Sequence, residues 1–147
     1  MSTNIDDRRV STEVNRVAVV SGAGSGIGAS IALRLAKNGY SLALIGRREA
    51  RLRATRDCVA GTGQSICTVH VADLTVPDAI DATARDIAKA HGSIDVVVYS
   101  AGGSGSGAGK DLAGLADALM ADFRTNTLST IFSHPRMRGR SPRRCFR

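Results

Sequence analysis

No apolar run in this sequence approaches the ~18 residues a membrane-spanning helix needs, so no membrane partner is expected. The N-terminus is polar, with Ser2-Thr3-Asn4 followed by Asp6-Asp7-Arg8-Arg9, and has none of the apolar stretch of a secretory signal. Cysteine is scarce. Cys58, Cys67 and Cys145 are odd in number and show no CxxC spacing, which argues against a disulfide framework and against a zinc site. Cys67 alternates with Ile66 in what reads as a strand and is expected in the core, and a reduced, cytoplasmic setting fits best. Histidine offers little chemistry either. His70 falls in a strand, His91 at a helix end and His134 near the end of the chain, without partners at ligand or relay spacing. Gly109-Lys110 resembles the end of a Walker loop, but Ser104 and Asp111 stand where that loop needs glycine and a hydroxyl residue.

Acidic residues are absent from residues 133–147, which hold Arg136, Arg138, Arg140, Arg143, Arg144 and Arg147. Of the formal net charge of +7, six units therefore sit in this tail, leaving +1 for everything before it. The basic balance describes a tail and is no sign of a nucleic-acid-binding domain.

The chain that remains is long enough for about one domain. It is organised around Ser21-Gly22-Ala23-Gly24-Ser25-Gly26-Ile27-Gly28. The apolar run Val17-Ala18-Val19-Val20 enters this stretch, and Ile27, Ile31 and Leu35 leave it at helical spacing. A strand, a glycine turn and a helix in that order build a phosphate site from backbone. The turn can approach a pyrophosphate closely, and the first N–H groups of the helix are unpaired at the positive end of its dipole. The spacing is Gly22, Gly26, Gly28, a G-x-x-x-G-x-G pattern, because Ile27 occupies the place of the third glycine in the commoner G-x-G-x-x-G. The same glycines would also serve a plain tight turn. The strand-turn-helix context favours phosphate.

Alternation of strand and helix continues along the chain. Residues 1–13 read as a disordered lead-in. Strands are expected at 16–20, 41–45, 65–71 and 94–99, with helices at about 25–37, 49–60, from about 75 to 91, and about 112–132. The third helix is entered through Thr75, Pro77 and Asp78, and is expected to bury Ile80, Ala84, Ile87 and Ala88. Leu115, Leu119, Phe123, Asn126 and Thr130 fall near one face of the fourth. The fold class is α/β, a Rossmann-type doubly wound parallel sheet with right-handed crossovers, occupying about residues 14–132. Its expected strand order, 3-2-1-4, leaves 94–99 at an edge. That edge offers unpaired backbone for self-association.

In a dinucleotide fold the residue closing the second strand selects the cofactor. An acid there would hold a ribose 2′-hydroxyl, but this strand ends in Gly46-Arg47-Arg48. Guanidinium groups suit a 2′-phosphate instead. The other reading, a solvated helix start, sets two cations against the helix dipole. NADP is thus the expected cofactor, ahead of NAD.

These motifs resemble the short-chain dehydrogenase/reductase family over residues 16 to about 132. Residues Ser21 to Gly28 are similar to its T-G-x-x-x-G-I-G cofactor motif, with serine for threonine. The resemblance implies cofactor contacts from Ser21, Gly22, Ser25, Gly26, Ile27, Gly28, Arg47 and Arg48. It also implies that Asp73-Leu74, after strand three, carries the acid that holds the adenine amino group. Asp73 would equally suit a helix entry. Tyr99-Ser100-Ala101-Gly102 stands at the family's N-N-A-G, so the backbone of Ser100, Ala101 and Gly102 is expected to line the adenosine while the asparagine contacts are lost. Asn126 aligns with a helix asparagine that helps hold a catalytic lysine through water. Taken alone it would be a helix residue with a local hydrogen bond.

The family's chemistry, hydride transfer between nicotinamide and a carbonyl or hydroxyl carbon, uses a serine and a Tyr-x-x-x-Lys pair. Here Tyr40 is followed at +4 by Leu44 and Tyr99 by Gly103, and Lys37, Lys89 and Lys110 all precede Asn126. The catalytic residues are absent and the chain is expected to be inactive. The substrate is not legible. From Ser133 the apolar periodicity stops, and a frameshifted or truncated reading of a longer gene is expected. A genuine basic extension for nucleic acid is the alternative.

Overall fold

The computed structural model describes residues 16–62, 66–102, 117, 119–121 and 123–128. The lead-in, the tail, His134, Cys145, Gly103 to Lys110, Leu115, Thr130 and Phe132 lie outside the described residues. Strands β1 (Arg16–Ser21), β2 (Tyr40–Gly46), β3 (Cys67–Val71) and β4 (Val96–Tyr99) alternate with helices α1 (Gly26–Lys37), α2 (Glu49–Ala60) and α3 (Pro77–His91). The strands form one parallel sheet in the order β3-β2-β1-β4, as expected.

Unbroken apolar runs in β1 and β2 follow from cover on both faces of the sheet. Ala18, Val20, Leu42 and Leu44 point to one face and pack with Ala32 and Ala36 of α1 and Leu52 and Val59 of α2. Val19, Ala43 and Ile45 point to the other, where Ile80 and Ile87 of α3 meet them. Truncating a fully buried leucine such as Leu42 to alanine would cost about 2–5 kcal/mol.

Three local expectations are corrected. The entry to α3 is capped by Val76 without a side-chain cap bond, and Pro77 opens the helix. The Thr75 side chain is instead drawn back to Asp73, to whose Oδ1 its hydroxyl donates at 2.7 Å and its N–H at 2.9 Å. The buried face of α3 is Ile80, Thr83 and Ile87, with Ala84 half-buried and Ala88 exposed, because the stripe turns away from the sheet near the helix end. Strand β4 starts at Val96 rather than Ile94, since Asp95 inserts its own carboxylate. Its Oδ2 accepts the Val17 N–H at 2.8 Å while its N–H donates to the Val17 carbonyl at 2.9 Å.

Ile66 lies outside the strand and is exposed, whereas Cys67 is half-buried against the first core cluster. Burial raises its thiol to about 11. His70 and His91 are not isolated, contrary to their spacing in sequence. The Thr68 hydroxyl lies 2.8 Å from Nε2 of each ring, because β3 places Thr68 and His70 on the face where α3 ends. Tyr40 is engaged at the opposite end of the sheet from the glycine turn, under the Arg16 guanidinium and hydrogen-bonded to it. The expected fourth helix departs from α geometry at Arg124–Leu128, which forms a π-helical turn. Thr125, being β-branched, weakens the α preference there. Leu119 and Phe123 are exposed among the described residues.

Candidate functional site

The carboxyl ends of all four strands open into one cleft of about 750 Å³. This is where open parallel sheets place their ligands. Gly22 to Ile27 contribute from the β1 turn, Gly46 to Arg48 from β2, Asp73 to Thr75 beyond β3, and Ser100 to Gly102 beyond β4. Ala23 of the turn is fully buried and lies behind the cleft wall.

The turn has the conformation its glycines allow. Gly22 sits at φ +66°, and a Cβ there would lie 2.6 Å from the Ala101 nitrogen. Gly26 sits at φ +56° and a Cβ there would meet nothing within 4 Å, so its open side faces space rather than protein. Gly28 carries no such freedom of space, since a Cβ would overlap the Gly22 carbonyl oxygen. Ser25 caps α1 without using its side chain on the helix. The first-turn N–H groups have no intrahelical carbonyls, so they remain for a ligand. Ile27, 75% exposed at the helix start, gives the cleft an apolar surface beside those donors.

Ser21 is buried, and its hydroxyl faces protein. It accepts the N–H groups of Ser100 at 3.1 Å and Ala101 at 3.2 Å, tying the β4 loop against the end of β1. Arg47 and Arg48 are exposed at the cleft mouth, and Arg48 donates to Ser25 Oγ at 3.4 Å. Asp73 is half-buried, and its carboxyl lies below its usual range because of the two bonds from Thr75, with Arg47 adding a smaller pull. It closes a turn ahead of α3 without capping that helix, and it lines the cleft beside the buried Leu74. Asn126 is on the π turn, and its Oδ1 would lie 2.7 Å from a Cβ at Gly102. The chain therefore brings Asn126 against the β4 loop, and Thr125 joins the cleft wall.

Two residues went unnoticed in the sequence. Thr55 of α2 is buried and donates its hydroxyl to the Ala23 carbonyl at 2.9 Å. A Cβ at Gly24 would lie 3.0 Å from Arg51 Cβ, so α2 rests directly on the turn. A threonine at the core-facing spacing of a mostly polar helix was the available signal.

The family model described as short chain dehydrogenase matches residues 16–134. A relative from the granaticin polyketide synthase of Streptomyces violaceoruber is 38% identical over 121 residues, which cover 82% of this chain and 43% of the relative. Among solved structures, an actinorhodin polyketide ketoreductase with NADPH superposes with a TM-score of 0.76 at 30% identity, covering 84% of this chain and 46% of that one. An NAD+-bound xylitol dehydrogenase gives a TM-score of 0.76 at 25% identity, covering 85% and 48%. The chain thus spans less than half the length of each of these proteins. The family match, a parallel sheet in the order β3-β2-β1-β4 and the glycine turn at its carboxyl edge agree, and the chain belongs to the short-chain dehydrogenase family of oxidoreductases.

Proposed function

We propose that this chain holds NADP(H) in the cleft and does so without turning over a substrate by itself. The observation that carries the cofactor choice is the pair Arg47 and Arg48, exposed at the cleft mouth where an NAD site would present a carboxylate. Planar guanidinium donors match the oxygens of a 2′-phosphate, and Arg48 already reaches the turn through Ser25. The residues fit the group. Gly26 opens onto space where a pyrophosphate would lie against the start of α1, and Asp73 stands where an adenine amino group would find an acceptor.

When bound, the nicotinamide group supplies or accepts a hydride. This chain's own part is to bind and orient. Gly22, Gly24, Ser25 and Gly26 cradle the phosphates, and Gly28 lets the helix start close on the Gly22 carbonyl. Ser21 holds the Ser100–Ala101 backbone as a wall for the adenosine, and Asn126 steadies that wall at Gly102. The parent reaction is hydride exchange with a carbonyl or hydroxyl carbon. No Tyr-x-x-x-Lys pair occurs in the 147 residues, so the pair that passes a proton to a substrate oxygen in the parent reaction is missing from this sequence. An assay of NADPH oxidation against a broad panel of ketones and aldehydes tests this. Binding without oxidation is expected, and robust oxidation would overturn the inactive reading.

A further inference from the structure

The face of α2 that meets the glycine turn, counted with its N-cap Arg48, carries three residues in helical register, and they meet three consecutive turn residues in reverse order. Arg48 donates to Ser25 Oγ at 3.4 Å. Arg51 packs so closely on Gly24 that a Cβ there would lie 3.0 Å from its own. Thr55 donates to the Ala23 carbonyl at 2.9 Å. Positions 48, 51 and 55 have the i, i+3, i+7 spacing of one helix face.

Thr55 is the only buried polar member of this face. Its single hydroxyl proton is shared between the Ala23 carbonyl at 2.9 Å and the Arg51 carbonyl at 3.2 Å, the Ala23 contact being the shorter. Ala23 is itself fully buried, and its N–H donates to the Ile45 carbonyl at 3.2 Å. The backbone of Ala23 is therefore held from behind on both sides, by β2 and by α2. Immediately ahead of it lie Gly24, Ser25 and Gly26, which line the cleft. A glycine-rich segment has little intrinsic shape of its own. What holds it must come from its neighbours.

We propose that Thr55 is a positioning residue for cofactor binding. It fixes the pyrophosphate turn in register with the Arg47–Arg48 end of α2, so that one helix sets the geometry of both phosphate-reading ends of the site. This rests on the reading of the cleft as an NADP(H) site. Thr55 touches no ligand. It acts through the Ala23 carbonyl, and its effect falls on the part of the ligand that the turn reads.

Two probes separate that effect from general loss of structure. NADP+ engages both the turn and the arginines. Adenosine 2′-monophosphate carries the 2′-phosphate and the adenosine but no pyrophosphate. With the full chain, Thr55→Val should weaken NADP+ by about tenfold, the size of one buried hydrogen bond lost with its acceptor left unpaired. Adenosine 2′-monophosphate should bind Thr55→Val within about twofold of the unmutated chain, a difference well below that of one such bond. Thr55→Ser, which keeps the hydroxyl, should restore NADP+ affinity. Thr55→Cys keeps a weaker donor and should fall between, and it replaces the valine variant if that chain does not fold. Unchanged NADP+ affinity in both the valine and cysteine variants, equal loss of both probes, or a serine variant as weak as the valine one would overturn the role of Thr55. If the unmutated chain binds neither probe, the reading of the cleft fails and the inference falls with it. If it binds NADP+ and the Thr55 variants bind it equally tightly, only the inference fails.

Discussion

Ser21 and Ala101 are separated by 80 positions in sequence, yet the Ser21 hydroxyl accepts the Ala101 N–H at 3.2 Å while also accepting that of Ser100. Removing that oxygen strands two donors at the junction of β1 and β4. Ser21→Ala should lower unfolding free energy by about 1–3 kcal/mol, the cost of unpaired groups in a half-buried place. Chemical denaturation checks this, and an unchanged midpoint would count against the clamp.

The glycines of the turn should divide by what surrounds them. A methyl group at Gly28 overlaps the Gly22 carbonyl, so Gly28→Ala should lose folded protein. Gly26 faces open space at φ +56°, so Gly26→Ala should fold with a backbone cost of about 1–2 kcal/mol while losing most cofactor affinity. Circular dichroism beside a binding titration separates the two. Equal stability of the two variants would contradict the assignment of Gly26 to the ligand side.

Most of this architecture was legible in the sequence because its signals were local. Continuous apolar runs, a glycine turn between a strand and a helix, and the Arg47–Arg48 pair each declare themselves within a few residues. The start of β4 was not, because Asp95 replaces a backbone partner with its side chain across the sheet to Val17. The histidine pair was hidden for the same reason, since Thr68 joins rings that lie 21 positions apart only after α3 has folded back on β3. Thr55 belongs with these. Its role depends on a carbonyl 32 residues away.

Arg47→Asp should weaken NADP(H) binding by more than about tenfold and shift relative preference toward NAD(H), since a charged contact becomes a repulsion. Asp73 should feel the change as well, because Arg47 helps hold its carboxyl down. Parallel titrations with the two cofactors measure the shift. A variant that keeps its preference for NADP(H) would remove Arg47 from the site.

Acid should destabilise the fold through His70 and His91. Burial lowers both below the ordinary value of 6.5, His91 lowering His70 further and Asp86 partly opposing. The unfolded chain therefore takes up protons near pH 6.5 that the folded chain refuses until lower pH. Stability is fully present above that pH and declines as pH falls through it. Charging both rings would also set two like charges around the single Thr68 hydroxyl. Denaturation midpoints should fall between about pH 7.5 and 5.5, and His91→Gln should flatten the fall. A midpoint that rises on acidification would contradict the half-buried neutral pair.

The central claim, that the cleft is an NADP(H) site chosen by the arginines of the β2–α2 turn, is tested most directly by one titration. The purified full chain is titrated with NADPH and with NADH at the same ionic strength, following cofactor fluorescence. The account predicts saturable binding of both with NADPH at least about tenfold tighter, the least that one well-placed charged contact should contribute. Equal affinities, or tighter binding of NADH, would contradict it.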